Sequence, residues 1–282
     1  MNIASQFKTV VLLGLLTALL LWVGSFWGSG GLTIAFGFVL LMNIGSYWFS
    51  DKLVLAMYRA KPVDKDHKLH KMVEEIAKKA GIPMPKVYIL PTPHSNAFAT
   101  GRNPKHAAVA CTQGILDLLN DKELKGVLAH EISHIKHRDT LISTVAATIA
   151  GVISYVAFMA RWAALFGVGS RDRDGGNALE LLVLAILTPL LATLIQLAIS
   201  RSREFLADEG AAKTLKDGNG LASALEKLEK DIANKPLRAL GTTETTAHLF
   251  IHNPFKGGGL VSMFMTHPPT AERVKRLKGM SL

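Results

Sequence analysis

Hydrophobic positions along this chain come in two textures, unbroken runs and periodic stripes. From Thr9 to Ser50 there is no Asp, Glu, Lys, Arg or His, a run of 42 residues. Two more such runs follow, Thr140–Ala160 with 21 residues and Leu181–Ser200 with 20. A bilayer core of about 30 Å takes roughly 20 helical residues at about 1.5 Å each. The first run therefore fits two spans, read as helices near Val10–Trp27 and Leu32–Phe49 with a tight turn at Gly28-Ser29-Gly30-Gly31. Trp22, Trp27, Tyr47 and Trp48 fall near the segment ends, where aromatic rings favour the interface. A second hairpin is expected from Thr140–Ala160 and Ala178–Ser200. No small-x-small site follows a short apolar core, which argues against reading the first run as a cleaved leader.

Between and after the runs the pattern turns periodic. In Asp64–Ala80, Leu69, Met72, Val73, Ile76, Ala77 and Ala80 recur at helical spacing, and Gly81 with Pro83 ends the stretch. Lys86–Leu90, Asn96–Thr100 and Ala107–Cys111 read as short strands, the last two separated by the turn cluster Gly101-Arg102-Asn103-Pro104. A short helix from Thr112 and a longer one from Asp121 follow. Beyond residue 200, Leu221, Leu225, Leu228 and Ile232 share a helical face. Gly167–Asn177 is a loop rich in glycine and charge. The resulting expectation is a mainly α membrane protein: four transmembrane helices plus an α+β domain with a small β-sheet. Its parts are a first hairpin over 1–50, a soluble part over 51–139, a second hairpin over 140–200 and a second soluble part over 201–282.

Charge sets the orientation. Residues 51–139 carry 15 Lys/Arg against 10 Asp/Glu, and 201–282 carry 13 against 9. Basic excess marks the cytoplasmic side. The formal net charge of +10 then reads as topology and affinity for anionic lipid. It is scattered and carries no recognition motif, so no nucleic-acid partner is expected. Only 19% of the chain is charged, and its one cysteine, Cys111, calls for no oxidising compartment. Cys111 reads as a small buried strand residue.

The chemistry lies in His130-Glu131-Ile132-Ser133-His134, an HExxH pattern. On a helix, positions i and i+4 lie one turn apart on one face, so both imidazoles can reach one ion. Leu124, Val127, Leu128, Ile132 and Ile135 form the apolar face of that helix, leaving the histidines to line a cleft. Glu131 stands where it can act on a water without binding the metal. Zinc acidifies such a water to a pKa of about 7 and polarises a carbonyl. Glu204 is the candidate third ligand, one Zn2+ per chain, and Asp208, four residues on, can accept the free ring N–H of a ligand histidine. His134 lies about 9 Å along a helix before the third predicted span and Glu204 about 6 Å after the fourth, so an antiparallel hairpin brings them together. His137 is expected to pack or hydrogen-bond. His248 and His252 share helical spacing but have no adjacent acid.

Ser95–Gly101 (SNAFATG), His130–Asp139 (HEISHIKHRD), Ser202–Asp208 (SREFLAD) and Thr266–Arg273 (THPPTAER) occur in that order between hydrophobic hairpins. Together they resemble the HtpX-type bacterial membrane zinc metalloproteases, relatives of the CAAX prenyl-protein endopeptidases, over nearly the whole chain. The resemblance implies that the α+β domain is a cytoplasmic catalytic domain of the zincin (gluzincin) type, with zinc on His130, His134 and Glu204 and Glu131 as base and acid. It implies that Asn96, Ala97, Phe98 and Ala99 form a strand pairing with substrate backbone, by β-augmentation. It also implies His267 and Arg273 as candidates for stabilising an oxyanion. The expected function is a zinc endopeptidase of the bacterial cytoplasmic (inner) membrane, catalytic part facing the cytoplasm, degrading misfolded or damaged membrane proteins under stress. Its partners would be membrane-protein or unfolded-protein substrates and the lipid bilayer. The alternative is an inactive membrane scaffold or chaperone containing zinc. Structural zinc sites are usually closed by four Cys-rich ligands, and this chain has one Cys.

Overall fold

The structure is a computed structural model that describes residues 28–139, 203–234 and 268–281, with a few positions between 17 and 25. The predicted second hairpin, the Gly167–Asn177 loop, His248, His252 and His267 lie outside the described residues. The chain divides into two compact units, one of Met1–Ser46 with Val145–Ile199 and one of Tyr47–Thr144 with Ser200–Leu282.

Helix α1, Gly28–Met57, begins inside the predicted turn and runs past the predicted end at Phe49. Gly28 alone takes the left-handed conformation, φ +69°, and the next three residues are already helical. A single residue without a Cβ supplies the break. In the first unit, Leu32, Ile34, Phe36, Leu40 and Leu41 of α1 are exposed, Ile34 by 74%. Among the described residues no helix is long and apolar enough to cross a membrane.

In the second unit the order is β1 (Lys61–Pro62), α2 (Lys68–Ala80), β2 (Lys86–Leu90), β3 (Ala97–Asn103), β4 (His106–Thr112), α3 (Gln113–Leu118) and α4 (Asp121–His137). A helix described over 203–215 (α5), α6 (Asn219–Asn234) and α7 (Thr270–Lys278) complete it. All six apolar positions expected to line α2 are buried. The helix starts at Lys68, later than expected, because His67 is still extended, at ψ 141°, and caps it by accepting the Leu69 N–H on its ring. Ahead of it β1 pairs with β2, and the Val63 N–H reaches the Val87 carbonyl at 3.0 Å. The strands form a mixed sheet in the order β1-β2-β4-β3, with β2 and β4 parallel and β3 at an edge. β3 extends to Asn103, whose side-chain oxygen accepts the N–H groups of Lys105 and His106 at 3.0 and 3.1 Å and tightens the turn.

Alternation along β3 gives the sheet two covered faces. Ala97 and Ala99 join the main core with α2 and α4, while Phe98 packs against Val54, with Leu55 and Tyr58 beside them, at the C-terminal end of α1. Cys111 is fully buried in β4.

Helix α4 is firmly started. The Asn120 side chain accepts the Glu123 N–H and the Glu123 carboxylate accepts the Asn120 N–H, a reciprocal cap. All five residues of its expected apolar face are buried. Two glycines let other helices approach it closely. A Cβ on Gly126 would lie 2.6 Å from the Leu221 backbone of α6, and one on Gly210 of α5 would lie 2.1 Å from Ser133 Oγ.

Candidate metal centre

Helix α4 supplies His130, Glu131 and His134, and α5, packed across it at Gly210 and Ser133, supplies Glu204. The two imidazole Nε2 atoms are 3.1 Å apart. Nε2 of His130 lies 3.6 Å from one Glu204 oxygen and Nε2 of His134 lies 3.4 Å from the other. Tetrahedral zinc with bonds of about 2.0–2.2 Å needs its donors roughly 3.3–3.6 Å apart. The two nitrogen–oxygen separations lie within that span and the two nitrogens need part only slightly to reach it, so the three side chains fit one zinc ion: His130, His134 and Glu204 are the metal site.

Each imidazole is held from behind. His130 Nδ1 lies 2.9 Å from Asp208 Oδ1, an ion-pair contact. Arg273 in turn grips Asp208 through Nε at 2.9 Å and Nη2 at 2.8 Å, and its Nη1 lies 3.4 Å from Glu204. His134 Nδ1 lies 3.1 Å from Asp139 Oδ2, and Arg203 donates to Asp139 Oδ1 from Nε at 2.7 Å and from Nη2. Anchoring Nδ1 to a carboxylate fixes the ring and turns Nε2 towards the metal.

Asp139 and Arg203 are the residues that sequence reasoning missed. The available signal was an acid just past the HExxH helix and an arginine just before the glutamate ligand. Asp139 reaches back because Arg138, the C-cap of α4, takes the left-handed conformation at φ +61°, reversing the chain. A non-glycine residue there costs about 1–3 kcal/mol and clusters at functional sites.

Carboxylates dominate the electrostatics. Glu131, Glu204, Asp208 and Asp139 are all buried around two imidazoles and two guanidiniums, which favours positive charge at the imidazoles. Burial pushes both imidazoles down, but hydrogen bonds to Asp208 and Glu204 raise His130, and those to Asp139 and Glu204 raise His134 well above the usual range. Burial pushes Asp208 up, yet Arg273 and His130 outweigh it and bring its carboxyl down to about 2. Asp139 is likewise lowered: His134 and Arg203 overcome its burial.

Glu131 is raised, chiefly by burial, and its carboxylate accepts the backbone N–H of Ala99 on β3. A carboxyl displaced towards neutrality suits a group that must take a proton and return it. His137 is hydrogen-bond distance from Ser133 Oγ, 3.3 Å, and burial lowers it. The expected β3 segment sits at the sheet edge beside Glu131, but Phe98 points into the core. The Asn96 backbone is committed to Thr112, its N–H donating to Oγ1 at 2.8 Å and its carbonyl accepting the Thr112 N–H at 2.9 Å. Arg273, implied for an oxyanion, is instead buried with its guanidinium on Asp208 and Glu204.

Two histidines and a glutamate on crossed helices, with a second glutamate beside them, make the site of a zinc metalloprotease. Residues 64–281 match the model of peptidase family M48, and the chain belongs to that family. A Syntrophotalea carbinolica protein named Protease HtpX homolog is 54% identical over 277 residues, 98% of each chain. A Pyrococcus furiosus protein of the same name is 51% identical, covering all of this chain and 98% of that one. Among solved structures, S. mikatae Ste24p matches with a TM-score of 0.56 at 21% identity, over 98% of this chain and 66% of that one. The chain is thus an HtpX-type protease homologue whose fold is also that of Ste24p.

Zinc held by His130, His134 and Glu204 would supply Lewis acidity, which makes water nucleophilic at neutral pH and polarises a scissile carbonyl. Beside it, Glu131 would be the carboxylate available to take a proton and return it.

Proposed function

We propose that this protease is a multi-pass protein of the bacterial cytoplasmic membrane that cuts misfolded or damaged membrane proteins, as part of quality control under stress. Four spans are assigned to the uncharged runs, and the basic excess of 51–139 and 201–282 assigns the catalytic part to the cytoplasm. The observation that carries membrane anchoring is the set of exposed apolar side chains on α1, with Ile34 and Leu41 on one face and Leu32, Phe36 and Leu40 on the other, a surface too apolar for water. In the second unit the Trp48 ring lies under the Arg102 guanidinium, 4.3 Å from its centroid, a pairing suited to a headgroup region.

Substrate is assigned to the edge of β3 at Ala97–Ala99. Backbone pairing there binds an extended peptide with little demand on its sequence, as a quality-control enzyme requires. His267 is assigned to the oxyanion. Arg273 is assigned a positioning part, given where its guanidinium lies.

The test is to wash membranes holding the chain with alkaline carbonate, then offer the detergent-purified, zinc-loaded protein an unfolded membrane protein. Retention in the washed bilayer and cleavage of that substrate are expected. Release into the supernatant contradicts anchoring, and zinc without cleavage of any unfolded protein favours the scaffold alternative.

A further inference from the structure

Asp139 and Arg203 stand 64 positions apart in sequence and bracket residues 140–202, yet their side chains form a buried ion pair. We infer that this pair is a positioning device for the ligand His134: it clasps the C-terminal end of α4 to the Glu204 end of α5, and so holds the imidazole in its ligand orientation. The inference rests on the zinc site alone and not on which proteins are cut.

The carboxylate of Asp139 is divided between two duties. Oδ2 takes the His134 ring nitrogen at 3.1 Å, and Oδ1 takes Arg203. Without the guanidinium, a buried carboxylate would lose its partner and turn away from the imidazole. On the α4 side, the left-handed residue Arg138 directs Asp139 back over the helix end. On the α5 side, Arg203 immediately precedes the ligand Glu204, so one turn of helix carries both a metal donor and the clasp. The pair therefore sets the separation of α4 and α5 at the level of the ligands. Gly210 against Ser133 sets it two turns further along. The His130 branch also joins α4 to α5, through Asp208, but its carboxylate is backed by Arg273 from α7.

The experiment uses the full-length chain in detergent, with zinc affinity from competition against a chelator and the visible spectrum of the cobalt-substituted protein. Asp139→Asn, Arg203→Met and Arg203→Lys are compared with the double Asp139→Asn/Arg203→Met, with thermal melts in parallel. Asp139→Asn and Arg203→Met are each expected to weaken zinc binding about 10–100-fold and to shift the cobalt bands. The double variant should lose little beyond either single one, and Arg203→Lys should recover part of the loss. Parental affinity and spectrum in folded Asp139→Asn overturn the inference. So do losses that multiply in the double variant, because Arg203 would then act independently of Asp139. If Arg203→Met does not fold, the near-isosteric Asn and the charge-keeping Lys variants decide. Loss of zinc by the parent itself would count against the metal site, not against the clasp.

Discussion

The two ligand histidines are held by the same chemical device in different surroundings. The His130 branch, with Asp208 and Arg273, is sealed: the side chains are 1%, 2% and 1% exposed. The His134 branch, with Asp139 and Arg203, is more open, at 15%, 3% and 11%. The sealed branch is closed by α7, near the C-terminus, and the open one by residues flanking the 140–202 segment. The difference separates two demands on a metal site. One imidazole is anchored in the core, and the other stands closer to solvent. An Asp–Arg pair serves both, but its energetic weight depends on how much water reaches it.

Breaking what both branches serve should have the largest effect. Glu131 lies on neither branch, so Glu131→Gln is expected to cut peptide hydrolysis by about 10²–10⁴-fold while zinc content stays parental, read by turnover and metal analysis. Next comes the sealed branch. Arg273→Met leaves Asp208 and Glu204 buried without their guanidinium and should cost about 3–5 kcal/mol of stability. Arg203→Met should cost less, because its pair is partly wet, and denaturant unfolding of the two variants side by side checks the order. The reverse order would remove the contrast.

A smaller effect is expected where α5 crosses α4. Gly210→Ala brings a methyl group against Ser133 Oγ and should cost about 1–3 kcal/mol by overpacking. Ser133→Ala in the same chain should restore part of it, read by thermal unfolding. The smallest effect lies away from both branches. The Glu75 carboxyl is lowered from 4.5 to about 2, first by hydrogen bonds from Lys125 and Lys79. A carboxyl depressed in the folded state stabilises above its unfolded pKa, and that contribution fades as pH falls from about 4.5 to about 2. The group is 42% exposed, so solvent screening limits Glu75→Gln to under about 1 kcal/mol at neutral pH. The difference from the parent should disappear in acid.

Sequence periodicity revealed most of what lies within single elements. The apolar stripe of α2, the face of α4, the strand Lys86–Leu90 and the HExxH histidines each follow from spacing along one helix or strand. Glu204 and Asp208 were legible because they too share one helical face. What escaped was made by contacts between distant segments. β1 has two residues and no period of its own, and exists because β2 offers it an edge. The Asp139–Arg203 pair joins residues that look like ordinary flanking charges until α4 and α5 come together. Arg273 was singled out by the family resemblance alone, and for an oxyanion: only the packing of α7 shows it turned onto the carboxylates.

The most direct test of the central claim is the zinc content of purified Glu204→Gln beside Glu131→Gln. Glutamine at 204 removes a ligand, whereas glutamine at 131 removes only the proton acceptor. The account predicts about one zinc per chain in the parent and in Glu131→Gln, and a severe loss in Glu204→Gln. Full zinc in Glu204→Gln, or equal loss in both variants, would contradict the assignment of His130, His134 and Glu204 as the metal site.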